Sequence, residues 1–456
     1  TGDANVMGFT SVLLPQLRQS VDIRLDEDQE SWIASIVGLS LIVGILIVPL
    51  VMSRFGRRSA NAISNGLLGV TWVALPFATN YYTILFIRFL QGLSIGMTSI
   101  IAPIIIGEYA TPKYRGVFLT TIAMSFSLGA LILHGLALHF NWQQLSFIFA
   151  GMCLLDCIII MLSPETPSFL ASKGRYEECR KAFHWLRYPE EDVELNALIK
   201  AMLHQIKTKG CAEMLKRKVN CWVSMFKKRE FYKPVILMFH LHLINEWSGA
   251  AVIDAYTTDI YSRIVDSNIN MPMLIISTDI QRFLTNFIAV IVIKRLRRRI
   301  MLIITASLNV AVYYFIAAYV FSKTYYDFPS DNSIIGVILI HLHVFSIASG
   351  SLPLPNIISG EIFALEYKGL SNMLALLFFN VNVIINSKTI LLLFSTIGLH
   401  GTYCIFGGFV LYGLVISSIM LPETKDKTLQ EIEEEFRGKS LLTEKVTERL
   451  DQETMA

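Results

Sequence analysis

The chain has 456 residues, of which 53% are hydrophobic and only 16% are charged, and its formal net charge is +3. An average soluble domain carries about a quarter charged residues, and a disordered chain needs far less apolar content and more net charge than this one. The composition therefore excludes a soluble enzyme, a nucleic-acid binder and a disordered protein, and it favours a polytopic helical membrane protein.

Long apolar blocks follow one another along the chain. About 20 mostly apolar residues let a helix cross roughly 30 Å of hydrocarbon. We expect residues 1–17 to be the end of a further span whose start lies before the first residue, since the chain opens on Thr and not on Met. After it, a window of about 19 residues predicts eleven full spans, at 32–52, 60–79, 83–107, 117–139, 144–163, 233–262, 272–293, 300–322, 334–358, 369–394 and 400–421.

Lysine and arginine predict the orientation of these spans. Most of the 39 basic residues lie in loops on one side, together with the long 164–232 loop and the C-terminal tail. The exceptions, on the opposite side or inside spans, are Arg18, Arg24, Arg263, Lys323, Arg88, Arg282 and Lys388. The positive-inside rule places the basic side, here called the basic face, in the cytoplasm. We therefore expect a multi-pass plasma-membrane protein with both ends of the full-length chain cytoplasmic.

An internal repeat divides the chain into two halves. Residues 105–116 (IIGEYATPKYRG) resemble residues 358–369 (ISGEIFALEYKG), and a basic turn precedes each copy, at 54–58 and 295–299. Pro-Glu-Thr follows each copy, at 164–166 and 422–424. Because both copies of each motif face the same side, the halves are predicted to be parallel repeats related by an axis along the membrane normal.

The repeat predicts an all-α membrane protein with four parts. They are an N-terminal six-helix bundle with an incomplete first helix, a cytoplasmic helical linker, a C-terminal six-helix bundle and a cytoplasmic tail, at 1–163, 164–232, 233–421 and 422–456. Two six-helix halves joined by a long link are the arrangement of one class of transporter.

The motifs resemble those of the sugar-porter branch of the major facilitator superfamily, and within it those of the insect facilitated trehalose transporters. The resemblance covers nearly the whole chain. It is carried by the residues at 8–17 (GFTSVLLPQL), 31–36 (SWIASI), 88–92 (RFLQG) with Gly96, 164–167 (PETP) and 421–433 (LPETKDKTLQEIE). It implies the major facilitator fold with twelve spans and alternating access to a central cavity.

The resemblance also implies an inner gate, in which carboxylates on the basic face pair with arginines and other bases. The gate residues are then Arg54, Arg57, Arg58, Glu108, Arg115, Glu165, Glu361, Lys368 and Glu423. The basic turns depart from the family, since Ser53 replaces an Asp and Lys294 stands where an acid is expected. The alternative is that these charges simply lie at the membrane interface.

In this family, amide, hydroxyl and aromatic groups hold the sugar inside the central cavity. The positions that the resemblance assigns to this site are Ala123, Asn245, Glu246, Ser248, Gly249, Ala251, Asn356 and Asn380. Interrupted helices near the midplane are where such transporters bind substrate. Ser248-Gly249 and Pro353-Leu354-Pro355 predict two such interruptions.

Several of these positions differ from the family. Ala123 replaces a Gln, Glu246 replaces an uncharged amide, and Asn356 replaces a Trp. Asn380 is retained, but the Trp beside it is Val381. The sequence therefore predicts the fold more firmly than it predicts the identity of the transported solute.

Ionisable residues inside a span are functional candidates by default, and the sequence offers Arg88, Asp279 and Arg282 in addition to Glu246. Glu246 is interpreted either as a proton-coupling or cation-binding carboxylate or as the ion-pair partner of Arg282. The two His-Leu-His triplets, 240–242 and 341–343, favour packing or hydrogen bonds over a metal site, because side chains two apart on a helix point about 200° apart.

The sequence thus predicts facilitative transport of a sugar of the trehalose or hexose class, with no covalent chemistry, cofactor or metal. The implied partners are a small-molecule solute and the lipid bilayer, without nucleic acid, and the oligomeric state stays open. Two alternatives remain. One is a carrier of another polar solute, coupled or not to protons, and the other is a sensor that has kept the fold and lost transport.

Overall fold

A computed structural model describes residues 2–19, 25–109, 112–186, 228–265, 268–326, 333–363, 368–425 and 429–438, together with 226 and 427. These residues form helices and connecting turns, without a β-strand among them. In chain order the helices of the described part are α1 (Gly2–Gln19), α2 (Glu27–Phe55), α3 (Arg57–Ala74), α4 (Tyr81–Tyr109), α5 (Pro112–Ala137), α6 (Trp142–Leu162), α7 (Pro167–Ser172), α8 (Tyr176–Leu186), α9 (Arg229–Trp247), α10 (Ala250–Ile264), α11 (Met271–Arg295), α12 (Arg298–Tyr325), α13 (Ser333–Ser346), α14 (Pro353–Ile362), α15 (Lys368–Thr396), α16 (Gly398–Met420) and α17 (Leu429–Arg437).

Eight stretches of the described chain are long and apolar enough to cross a membrane. They are Glu27–Phe55, Tyr81–Ile106, Trp142–Leu162, Arg229–Ile264, Arg298–Tyr325, Ile334–Ile362, Leu370–Thr396 and Gly398–Met420. The remaining predicted spans correspond to α1, α3, α5 and α11, which have 18, 18, 26 and 25 residues. The all-α membrane fold predicted from the sequence is confirmed.

The helices form two bundles, α1–α6 and α9–α16. Within the first bundle α2 packs on α4 and α3 on α6, and within the second α12 packs on α16 and α9 on α15 and α16. The bundles meet where α2 packs on α15, α5 on α11 and α1 on α10. The interface between two such halves is where transporters with internal repeats bind their solutes.

Two of the spans in the second bundle are interrupted. The predicted span 233–262 is divided by Ser248 and Gly249, and Gly249 has a φ of 100°, a left-handed value that favours glycine. In the predicted span 334–358, a π-helical segment, Ile347–Ser351, separates α13 from α14. Both expected interruptions are therefore confirmed. The second lies just before the prolines, which occupy the first turn of α14, where a missing N–H is tolerated.

The described part of the 164–232 link consists of the short helices α7 and α8, while residues 187–225 lie outside the described chain. Ala182 and Phe183 of α8 are buried against Leu170 of α7. The thiol of Cys179 is buried in the same cluster and lies 3.3 Å from the carbonyl oxygen of Pro167. Burial raises the pKa of the Cys179 thiol, so this side chain stabilises the link as an apolar group.

Glycines let α2 and α4 approach closely. A Cβ atom added to Gly92 would overlap Ser40 Oγ and lie 2.9 Å from Val37 Cα. A Cβ atom added to Gly96 would lie 2.9 Å from Leu41 Cα. Small residues at this spacing allow close helix contact in membranes, where apolar surfaces gain little by leaving lipid.

Gly92→Ala is expected to lower the melting temperature of the purified protein by at least several degrees, because α2 and α4 must move apart. Gly151→Ala is the matched control, since a Cβ atom there meets nothing within 4 Å. The control should melt at the same temperature or higher, because Ala favours a helix over Gly by about 0.5–1 kcal/mol. Thermal melting followed by tryptophan fluorescence measures both, and equal melting temperatures for the two variants would contradict this packing.

Candidate functional site

On the basic face of the first bundle, Glu165 binds the start of α3. Glu165 Oε1 accepts hydrogen bonds from the backbone N–H groups of Arg57 at 3.0 Å and Arg58 at 3.1 Å. It accepts another from the backbone N–H of Thr166 at 2.9 Å. Gly56 precedes α3 with a φ of 96°, and a Cβ atom on it would overlap the Glu165 carboxylate. A carboxylate at a helix N-terminus satisfies free N–H groups and complements the helix dipole.

We call Glu165 and the helix ends that Glu165 joins the cradle of the first bundle. The end of α4 also contacts this cradle. Arg57 Nε lies 3.5 Å from Glu108 Oε1, and the Arg57 guanidinium lies 5.5 Å from the centre of the Phe169 ring. The hydroxyl of Tyr109 donates to the carbonyl oxygen of Pro164 at 2.5 Å. The ends of α2, α4 and α6 are thus joined to the start of α3.

The second bundle repeats this cradle with equivalent residues. Glu423 Oε1 accepts hydrogen bonds from the backbone N–H groups of Arg298, which begins α12, and Lys425, both at 3.0 Å. Arg298 Nη2 lies 3.0 Å from Glu361 Oε1. Glu361 Oε2 accepts a hydrogen bond from Thr424 Oγ1 at 2.5 Å. The internal repeat predicted from the sequence is therefore matched by equivalent hydrogen bonds in the two bundles.

The geometry agrees with the expected carboxylate–arginine pairing at Glu108 and Glu361, and it differs at Glu165 and Glu423. Glu165 and Glu423 bind backbone N–H groups, while Arg58 donates to the carbonyl oxygen of Met161. Within the described chain Arg54 makes no ion pair and lies over the ring of Phe55, 5.4 Å from its centre. The side chains of Arg115 and Lys368 lie outside the described part of the structure.

The interruption between α9 and α10 exposes carbonyl groups that neighbouring helices satisfy. The carbonyl oxygen of Ser248 accepts from His343 Nε2 at 3.0 Å and Asn309 Nδ2 at 3.3 Å. The carbonyl oxygen of Trp247 accepts from the Tyr313 hydroxyl at 2.8 Å. Broken helices are tolerated in membranes only where such partners satisfy the freed backbone. The break is therefore stabilised by hydrogen bonds within the second bundle.

Buried polar side chains with an unpartnered oxygen atom lie on α9 and α15, the helices beside this break. Asn245, Glu246, Asn380 and Asn386 are 4%, 3%, 2% and 0% exposed. Among the described residues, Asn245 Oδ1, Glu246 Oε2, Asn380 Oδ1 and Asn386 Oδ1 have no hydrogen-bond partner. Asn386 Nδ2 donates to the carbonyl oxygen of Glu246 at 2.9 Å, which brings the two helices together here. Buried polar atoms normally have partners, so this group is suited to a polar ligand.

The remaining positions that the resemblance assigns to the site include Ser248, Asn356, Ala123 and Ala251. Ser248 is buried and donates to the carbonyl oxygen of Asn245 at 2.7 Å. Asn356 is exposed on α14. The side chains of Ala123 and Ala251 lie outside the described part.

An aromatic and amide cluster beside the site was missed by sequence reasoning. Trp247 Nε1 donates to Asn382 Oδ1 at 3.2 Å, and the Trp247 ring lies 4.1 Å from the centre of the Phe409 ring. The Trp247 ring also lies 4.9 Å from the Phe406 ring. The amide side chains that recur along the apolar helix α15 are the sequence feature that could have indicated this cluster.

The histidines of both triplets take part in packing and hydrogen bonds. His240 Nδ1 lies 2.8 Å from the carbonyl oxygen of Ile236, and the His242 ring packs 5.3 Å from the Phe379 ring. His341 Nε2 lies 3.2 Å from Ser277 Oγ. In the part of the chain that the structure describes, no group of three His, Cys, Asp or Glu side chains is arranged to hold a metal ion.

The intramembrane charge Arg88 is 1% exposed and binds neutral oxygens. Arg88 Nη1 donates to the carbonyl oxygen of Val6 and to Gln91 Oε1, both at 3.0 Å. Its Nη2 donates to Thr10 Oγ1 at 2.7 Å. Arg88 thereby fixes α4 to α1 inside the first bundle.

Arg282 pairs with Asp254 through both guanidinium Nη atoms, and not with Glu246. The expected alternative of a Glu246–Arg282 ion pair is therefore wrong. Asp279, one turn before Arg282, binds His134 of the first bundle instead, with 2.5 Å between Oδ2 and Nδ1. Asp254 and His134 could not be predicted as these partners, since their positions in space depend on how the helices are rotated.

Ion pairs join the bundles at the face opposite the basic one. Arg18 Nη2 lies 2.5 Å from Glu30 Oε2, and its Nη1 lies 2.9 Å from Asp259 Oδ1 of the second bundle. Lys388 Nζ lies 2.7 Å from Asp28 Oδ1 and 4.2 Å from the centre of the Trp32 ring. The two bundles are therefore held together at this end.

Comparison with curated proteins gives relatives along most of the chain. The facilitated trehalose transporter Tret1 of Apis mellifera ligustica is 28% identical over 440 residues, covering 94% of this chain and 84% of the relative. The protein of the same name from Culex quinquefasciatus is 26% identical over 445 residues, covering 95% of this chain and 84% of the relative.

Solved structures give the same architecture. The inward-open xylose transporter XylE from E. coli matches with a TM-score of 0.73 at 16% identity, covering 95% of this chain and 97% of that one. The proton:xylose symporter XylE bound to 6-bromo-6-deoxy-D-glucose, a protein of the major facilitator superfamily, matches with the same TM-score, identity and coverage. At this identity the likeness shows the fold alone. The model of the family described as "Sugar (and other) transporter" matches residues 3–436, and the chain therefore belongs to this family.

Proposed function

We propose that the protein is a carrier, and not an enzyme, that moves a sugar of the trehalose or hexose class across the plasma membrane by facilitated diffusion. Family membership supports transport, and the similarity to insect facilitated trehalose transporters supports trehalose. The distribution of basic residues supports a cytoplasmic position for the basic face. The opposite face is then the outer face.

The observation that carries this proposal is the group of buried polar atoms without partners around the broken helix. Asn245, Glu246, Asn380 and Asn386 present acceptor oxygens on α9 and α15. A sugar offers many hydroxyl donors, so it would satisfy these oxygens. An apolar solute would leave the oxygens unsatisfied, at a cost of about 1–3 kcal/mol each.

The contacts between the bundles support alternating access. Arg18 and Lys388 join the bundles at the outer face. On the basic face, the cradles of Glu165 and Glu423 lie each within its own bundle. Each bundle can therefore rotate as a unit about the central site, while the outer contacts break and re-form.

Purified protein in liposomes is expected to take up radiolabelled trehalose or D-glucose with saturable kinetics and without an imposed ion gradient. Uptake of L-glucose and uptake by protein-free liposomes give the leak. Absence of saturable uptake of either sugar, by protein that still melts cooperatively, would contradict the proposal.

Glu246 favours a second candidate function, transport of a different polar solute such as one that carries a positive charge. Its carboxylate is buried beside the break with Oε2 unpartnered in the described chain, and Arg282, the nearest expected base, binds Asp254. A buried carboxylate without a base is stabilised by a cation or a proton. This candidate differs from the first in its need for a negative charge at the site.

Glu246→Gln separates the two candidates. In a sugar carrier, an amide of the same shape keeps the hydrogen bonds, so KM for the sugar should change less than about threefold, whereas Asn380→Ala should raise KM about tenfold by removing one hydrogen bond. Asn65→Ala is the control, because that amide bonds back to Asn61 one turn earlier on α3. Loss of all uptake in Glu246→Gln, with Asn380→Ala unchanged, would favour the second candidate.

A further inference from the structure

The turn between α11 and α12 is strongly basic. Its bases, which surround Leu296, are Lys294, Arg295, Arg297, Arg298 and Arg299. Because α11 ends at Arg295 and α12 begins at Arg298, the connection is too short to leave the ends of the two helices. The bases therefore lie on the basic face, where α11 and α12 leave the membrane.

Only part of this charge serves the cradle of the second bundle. Arg298 pairs with Glu361 at 3.0 Å, and its backbone N–H donates to Glu423. The side chains of Arg295, Arg297 and Arg299 are exposed, and they make no ion pair with any residue that the structure describes. A guanidinium stays protonated in proteins. The turn therefore presents three positive charges that no described carboxylate balances.

The equivalent turn of the first bundle uses its bases differently. The side chains of Arg57 and Arg58 both bind groups of their own bundle. Gly56 occupies the position that corresponds to Arg297, and a Cβ atom on Gly56 would overlap the Glu165 carboxylate. Arg297 has a φ of −71°, which is ordinary for a residue with a Cβ atom, and its side chain is exposed. The cradle therefore does not need the arginine at this position.

Exposed apolar side chains lead along both helices to these bases. On α11, Ile288 and Ile291 are 56% and 47% exposed, and they precede Arg295 by seven and four residues. On α12, Ile303 is 37% exposed and follows Arg299 by four residues. Residues at these spacings share one face of a helix, and exposed apolar surface on a span contacts lipid. Arg295 and Arg299 therefore lie where the hydrocarbon-facing surface meets the lipid headgroups.

We propose that Arg295, Arg297 and Arg299 form a binding site for anionic phospholipid of the cytoplasmic leaflet. The headgroup phosphate accepts charge-assisted hydrogen bonds from the guanidinium groups, and the acyl chains lie along the exposed isoleucines of α11 and α12. Clusters of bases beside the cytoplasmic end of a span attract anionic lipid in this way. A soluble anion would use the charges and leave the adjoining apolar surface without a ligand. The site does not depend on which solute the protein carries.

Native mass spectrometry of the full chain, released from detergent micelles, measures the bound lipid. Phosphatidylserine and phosphatidylcholine with identical acyl chains compete in equal amounts. The wild-type protein is expected to bind phosphatidylserine in preference by about tenfold or more, and combined Arg295→Gln, Arg297→Gln and Arg299→Gln should remove most of this preference. Glycerophosphoserine, the same headgroup without acyl chains, should not displace the lipid.

The matched control removes three exposed bases from the link instead, by combined Lys173→Gln, Arg180→Gln and Lys181→Gln, and it should keep the wild-type preference. Equal binding of the two lipids by the wild type, an unchanged preference in the arginine variant, or the same loss in the control would overturn the proposal. Displacement by glycerophosphoserine would also overturn it, in favour of a soluble anion.

The arginine variant is first melted, because its loss of lipid is informative only in folded protein. If it does not melt cooperatively, Arg297→Gln alone decides the outcome, with an expected loss of preference of about threefold. An unchanged preference in that single variant would overturn the proposal. Failure of sugar uptake in a protein that keeps the lipid preference would contradict the proposed solute and leave the lipid site standing.

Discussion

One carboxylate in each half of the protein binds the first backbone N–H groups of a long helix, and the rest of the structure depends on this contact. The start of a helix has N–H groups without partners inside the helix, and near hydrocarbon they need a fixed acceptor. Glu165 serves α3, and Glu423 serves α12. Because Glu108 and Glu361 join the same cradles through Arg57 and Arg298, each bundle has its helix ends locked on the basic face.

Because each bundle is held rigid on its basic face, movement is confined to the interface between the bundles and to the broken helix. The polar contacts between the bundles include ion pairs and hydrogen bonds at Arg18, Lys388 and His134, which water can replace when the bundles part. The break at Gly249 is supported from the side by His343 and Tyr313. The carboxamides and the carboxylate beside it are left for the solute. The basic face is therefore rigid, and the centre keeps polar side chains that can bind the solute.

The sequence predicted those features that depend on local pattern. The spans follow from apolar length, the cradles from a repeated Glu and a repeated basic turn, and the break from Ser248-Gly249. The partners of buried charges could not be predicted, because they depend on helix rotation and tilt. Arg282 was expected near Glu246 and binds Asp254, and His134 meets Asp279 across 145 positions of sequence. Glu165 was assigned to an arginine side chain, whereas it binds backbone N–H groups, which no sequence motif distinguishes.

The central claim is that two rigid bundles rock about a solute site beside the broken helix. The most direct measurement records one distance at each face in the same protein, between Thr79 and Asn268 at the outer face and between Glu177 and Arg299 at the basic face, all exposed positions. On addition of trehalose or D-glucose the two distance distributions should shift in opposite directions. Shifts in the same direction, or no shift at either face in protein that transports the sugar, would contradict the account.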